Sequence, residues 1–133
     1  MHLAMRGLGE RARVLIVDDD EHIKEFLGLA LEDEGYEVVT APHGAAALER
    51  IAERAPAVII LDLWMPVMDG FSFLREYRRR PGPHAPVIAL TAAQYDSARQ
   101  SLTDADAFLT KPFSLDALIE QVRRLAVLDP LAR

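Results

Sequence analysis

The sequence predicts an α/β domain: a doubly wound, five-stranded parallel sheet with helices on both faces. Three observations lead there. Short β-branched or leucine-rich runs alternate with helical stretches along the whole of the 133-residue chain. The middle runs are apolar throughout rather than at every second position, as strands covered on both faces require. The connections are short, so consecutive parallel strands must be joined by right-handed crossovers through the intervening helices.

Residues 1–12 carry no usable periodicity and read as a flexible N-terminal arm. The domain itself is expected over residues 13–128, with 129–133 a C-terminal tail. Its strand candidates are Val14 to Val17, Val38 to Thr40, Val58 to Leu61, Val87 to Leu90 and Phe108 to Thr110. A first helix is predicted from Ile23, Phe26, Leu27, Ala30 and Leu31, whose i, i+3, i+4, i+7, i+8 spacing makes one apolar stripe. Helices near 44–54 and 70–79 are stopped by Pro56 and by Pro81-Gly82-Pro83. The last helix carries the stripe Leu115, Leu118, Ile119, Val122 and Leu125, with Ser114 placed to cap its N-terminus.

Bulk properties narrow the function. A net charge of −6 argues against direct nucleic-acid binding, which needs a basic footprint. The basic run Arg78-Arg79-Arg80 reads as the solvated end of a helix, where cations complement the dipole. Without cysteine the chain has neither a disulfide scaffold nor a thiolate metal site. No apolar run approaches the roughly 20 residues that span a bilayer, and Met1-His2-Leu3-Ala4-Met5-Arg6 lacks a signal-peptide core, so a cytoplasmic protein without membrane attachment is expected.

In an open parallel sheet the strand C-termini gather at one edge, and ligands bind there near the switch in strand order. The first strand ends in Asp18-Asp19-Asp20-Glu21, the third in Asp62, the fourth in Thr91, and the fifth runs into Lys111-Pro112. Asp20 and Glu21 are assigned to the start of the first helix, where acidic residues cap and favour the dipole. Asp18, Asp19 and Asp62 form a carboxylate group that needs a compensating cation, since two like charges about 4 Å apart repel by about 4 kcal/mol at an effective dielectric of 20. Hard oxygen donors of this kind suit Mg²⁺ or Mn²⁺. Lys111 can add a fixed positive charge for phosphoryl oxygens. The four histidines, His2, His22, His43 and His84, show no metal-ligand spacing and read as surface residues.

Taken together, Val14-Leu15-Ile16-Val17-Asp18-Asp19, Leu61-Asp62-Leu63-Trp64-Met65-Pro66-Val67-Met68-Asp69-Gly70, Leu90-Thr91-Ala92 and Phe108-Leu109-Thr110-Lys111-Pro112-Phe113 resemble the receiver domain of bacterial response regulators, from about Arg13 to Leu128. That resemblance implies a flavodoxin-like strand order 2-1-3-4-5 and a phosphoryl group accepted by Asp62. It makes Asp19 a direct metal ligand, Asp18 a ligand largely through water, and the Trp64 backbone carbonyl the last protein ligand. Thr91 and Phe108 become the switch pair, Lys111 the bridge to the phosphoryl oxygen, and Lys111-Pro112 a cis bond. The implied partners are a sensor histidine kinase or phosphotransfer protein and a downstream protein target, with the chain a monomer or a weak phosphorylation-dependent dimer. It is not expected to be an enzyme beyond catalysing its own phosphorylation and slow dephosphorylation.

Two departures from the family pattern stand out. Asp104-Ala105-Asp106 replaces the usual Gly-Ala-Asp, and the interval from Thr91 to Lys111 is about two residues short of the family's, with a poor apolar stripe over Tyr95 to Leu102. A short or irregular fourth helix is expected there, and with it an altered partner surface. Trp64 and Ala93 carry no carboxylate or amide to orient a hydrolytic water, so a long-lived phosphorylated form is expected. The rival reading, an Asp-initiated phosphohydrolase, wants a second Asp two residues after the nucleophile, where this chain has Trp64.

Overall fold

Alternate residues of each central strand face opposite ways, and both ways are apolar, so one sheet organises two cores. The structure is a computed structural model and describes residues 11–63, 69–91 and 105–126. Its strands are β1 (Arg13–Val17), β2 (Glu37–Ala41), β3 (Val58–Asp62), β4 (Val87–Thr91) and β5 (Ala107–Thr110). They pair in parallel in the order β2-β1-β3-β4-β5, the order the resemblance implies. The helices are α1 (Glu21–Asp33), α2 (Gly44–Glu53), α3 (Gly70–Arg79) and a C-terminal helix (Leu115–Ala126). No described helix is long and apolar enough to cross a membrane.

On one face Leu15, Val17, Ile59, Leu61, Val87 and Ala89 meet α2 through Ala47 and Leu48, and α3 through Phe73, Leu74 and Tyr77. On the other, Val14, Ile16, Val58, Ile60, Ile88 and Leu90 meet Leu27 and Leu31 of α1 and Leu118, Val122 and Leu125 of the C-terminal helix. Every residue of β3 and of β4 is buried, which is why neither run alternates. Ala12, assigned to the arm by the sequence, already belongs to the fold: it is buried, and its carbonyl accepts from the Glu37 N–H.

Helix α1 corrects the predicted stripe. Phe26 is 58% exposed and Leu29 61%, whereas the buried face is Lys24, Leu27, Gly28 and Leu31. At about 100° per residue this face lies about 80° round from the one the apolar residues mark. Lys24 takes a core place by laying its methylenes inward while its ammonium reaches Glu21 Oε2 at 2.8 Å. Gly28 presents only a hydrogen to β2, where a Cβ would meet Val38 Cγ1 at 3.5 Å. Neither residue is apolar by type, so the periodicity missed both.

The helix ends are largely local chemistry. Asp20 accepts from the N–H groups of His22 and Ile23, Asp69 from Ser72, and Ser114 from Ala117. His43, read as a surface residue, caps α2 by accepting from the Ala46 N–H at 3.2 Å. Gly35 sits at φ 101° just after α1, a backbone region that costs residues with a Cβ, and lets the chain turn into β2. His84 also has a structural place, edge-on to the Tyr77 ring with centroids 4.9 Å apart.

Candidate functional site

Strands β1 and β3 are neighbours, while β2 lies beyond β1 and β4 beyond β3, so the strand order switches between them. The crevice at such a switch opens at the strand C-termini. Asp18 directly follows β1 and Asp62 closes β3, so the sheet itself brings their carboxylates together. With Asp19 they form a group whose oxygens all lie within 4.8 Å of one another. Asp18 and Asp62 are 1% and 5% exposed, whereas Asp19 faces solvent.

Asp18 is held by its neighbours in the chain and by the sheet. Its N–H donates to the Ala41 carbonyl at 3.1 Å, and its Oδ1 accepts from the Asp20 N–H at 2.9 Å. Its Oδ2 is buried without a hydrogen bond to any described residue. Burial pushes the Asp18 carboxyl from 3.8 up to about 6; the Asp20 N–H and Lys111 oppose this, and the charges of Asp62 and Asp19 add to it. A buried carboxylate oxygen that lacks a donor, beside two further carboxylates, is the environment a hard divalent cation satisfies. The donor set therefore fits Mg²⁺ or Mn²⁺.

Lys111 reaches the same place from β5. Its N–H donates to the Thr91 carbonyl at 2.7 Å, fixing the start of the loop, and its Nζ lies 3.6 Å from Asp62 Oδ1. The Lys111-Pro112 bond is cis. Thr91, fully buried at the end of β4, keeps an Oγ1 that hydrogen-bonds no described residue. Phe108 pairs in register with Ala89 and is half-buried against the core shared with α2 and α3.

Thus Asp18, Asp19, Asp62 and Lys111 converge, Thr91 ends the neighbouring strand, and Phe108 lies two residues below Thr110, the register partner of Thr91. Trp64 falls outside the described residues, as do Ala93, Asp104 and the predicted fourth helix at Tyr95 to Leu102. One contributor was not singled out from the sequence. A Cβ on Gly70 would stand 2.5 Å from Leu63 Cα and 2.7 Å from the Asp62 carbonyl oxygen, so α3 can begin against the acceptor's own backbone only with glycine there. The Gly70 N–H donates to the Leu63 carbonyl at 3.0 Å, closing that approach. Asp69-Gly70 was visible as a dipeptide, but the contact joins the start of α3 to the backbone at the end of β3, which neither segment shows by itself.

Comparison with known proteins bears on the same residues. Residues 14–123 match the family model described as "Response regulator receiver domain". The chain is 40% identical over 115 residues to the response regulator MprA of Mycobacterium ulcerans, covering 85% of this chain and 49% of that protein. It thus spans about half the length of the curated relatives it matches. Among solved structures, the Francisella response regulator 1452 receiver domain superposes with a TM-score of 0.81 at 34% identity, over 88% of this chain and 98% of that one. The receiver domain of a signal transduction histidine kinase from Syntrophus aciditrophicus gives 0.83 at 33% identity, over 90% and 92%.

Proposed function

The chain belongs to the response regulator receiver domain family, and from that premise we propose that Asp62 accepts a phosphoryl group from a phosphohistidine on a sensor histidine kinase or phosphotransfer protein. The observation that carries this reading is the convergence of Asp18, Asp19 and Lys111 on Asp62 at the strand-order switch.

An Asp62 oxygen forms the new O–P bond as the P–N bond to the donor imidazole breaks, and the departing nitrogen keeps the electron pair and takes up a proton. Lys111 meets a phosphoryl oxygen in place of its present 3.6 Å pairing with Asp62. Thr91 has a hydroxyl with no competing partner among the described residues, and it donates to a second phosphoryl oxygen. Asp18, Asp19, Asp62 and the Trp64 carbonyl are the residues that would hold Mg²⁺ or Mn²⁺. Such a cation, when bound, supplies positive charge for the phosphoryl oxygens. Phe108 turns inward as Thr91 moves, and the altered surface engages a downstream protein. The domain acts as a cytoplasmic signalling acceptor, catalysing only its own phosphorylation and slow dephosphorylation.

Incubation with acetyl phosphate tests this. Acid-labile label is expected on Asp62 only with Mg²⁺ or Mn²⁺ present, and none on Asp62→Ala. Equal labelling of Asp62→Ala, or labelling that survives complete chelation of divalent ions, would falsify the assignment.

A further inference from the structure

Asp20 stands between the acidic crevice and α1, and its polar groups are committed in both directions. Toward the crevice, its N–H donates to Asp18 Oδ1 at 2.9 Å. Toward the helix, its carbonyl accepts from the Lys24 N–H at 3.1 Å. Its Oδ1 accepts from the N–H groups of His22 at 2.9 Å and Ile23 at 3.2 Å. The side chain itself faces solvent and is not one of the three carboxylates gathered at the strand ends.

These bonds depend on one another. By accepting from two helix amides, the Asp20 carboxylate holds its residue in the extended conformation of an N-cap, at φ −91° and ψ 112°. The φ angle sets the direction of the residue's own N–H relative to the helix, and here that N–H points at Asp18. The bond occupies one oxygen of Asp18. It leaves Oδ2, buried and without a hydrogen bond to any described residue, as the oxygen available to a cation. Without the Asp20 N–H the Asp18 carboxylate could turn between rotamers, because the bond of its backbone N–H to the Ala41 carbonyl fixes the main chain alone.

We propose that Asp20 is a positioning residue for the cation site: its cap on α1 aims the N–H that orients the Asp18 carboxylate. The proposal rests on the assignment of Asp18, Asp19 and Asp62 to Mg²⁺ or Mn²⁺ made above. Coupling of this kind is reciprocal, so whatever the cap adds to cation affinity, the cation adds to the cap. Occupancy of the crevice is thereby felt in the first turn of α1, through Asp18 and Asp20 alone. Asp20 acts through Asp18 and supplies no ligand atom of its own.

The test is a calorimetric titration of the parent protein, Asp20→Asn and Asp20→Ala with Mg²⁺. Both variants lose the same charge, but only asparagine can still accept from the helix N–H groups, so the difference between them reports the cap. Asp20→Asn should bind Mg²⁺ about fivefold more tightly than Asp20→Ala, in line with what an N-cap contributes. Amide hydrogen exchange of the parent is a second measurement that needs no variant. Saturating Mg²⁺ should slow exchange at His22 and Ile23 more than at Ala117, whose N–H is capped by Ser114 at the start of the C-terminal helix. Equal affinity in the two variants, or equal slowing at the three amides, would overturn the proposal and leave the cation site in place. No binding of Mg²⁺ by the parent would remove the site and the proposal together.

Discussion

Asp18 illustrates how one residue's surroundings set its chemistry. Burial raises its carboxyl to about 6 from an ordinary 3.8, so folding favours the neutral form. The stability this contributes is complete below pH 3.8 and is lost as pH rises through about 6. At about 1.4 kcal/mol per pKa unit, ionised Asp18 destabilises the metal-free protein at pH 7 by up to roughly 3 kcal/mol. Asp18→Asn cannot ionise and should therefore be the more stable protein at pH 7, with the difference closing near pH 4. Urea denaturation of both proteins at the two pH values measures this. An equal gain at each pH would assign the effect to packing rather than charge.

Individual elements are held by contacts that crossed the sequence reading in different ways. Caps were legible where the capping residue is common: Asp20 and Ser114 take the places that their types suggest. His43 and Lys24 were not, because a histidine cap and a lysine with a buried stem depend on what lies opposite. Gly28 gives a direct check on α1. The added methyl of Gly28→Ala would meet Val38 at an ordinary 3.5 Å, and glycine inside a helix costs about 0.5–1 kcal/mol relative to alanine. The substitution should raise the midpoint of thermal unfolding, whereas a fall would mean that α1 already touches β2 without room for a methyl. The connection from α3 to β4 offers the reverse case. Buried Tyr77 accepts from the Ala85 N–H at 2.6 Å through its hydroxyl. Tyr77→Phe strands that N–H, at a cost of about 1–3 kcal/mol that denaturant titration would register.

For the whole molecule, the carboxylate group exists only when β1 and β3 are paired. A divalent ion that binds there binds the folded state alone, and at 100 times its dissociation constant adds about 2.7 kcal/mol. Saturating Mg²⁺ should accordingly raise the melting temperature by several degrees and do so much less in Asp18→Asn. An unchanged melting temperature in the parent protein would remove the metal from the proposed function.

The strands, their order of appearance and the gathering of Asp18, Asp19, Asp62, Thr91 and Lys111 at one edge were readable along the chain. Their signals are local: apolar runs, breakers, and acidic or hydroxyl residues at the point where each run stops. The resemblance to receivers supplied the strand order and the individual roles, which periodicity alone does not contain. Tertiary structure decided the rest. It turned α1 so that Lys24 and Gly28 rather than Phe26 face inward, because helix docking follows the shape of the opposing sheet as well as hydrophobicity. It left Asp18 Oδ2 and Thr91 Oγ1 buried without hydrogen bonds to described residues, and it required glycine at position 70. It also brought Arg13 and Arg54, far apart in sequence, onto a single Glu37. Burial and close approach are properties of pairs of elements, so a sequence read one segment at a time cannot contain them.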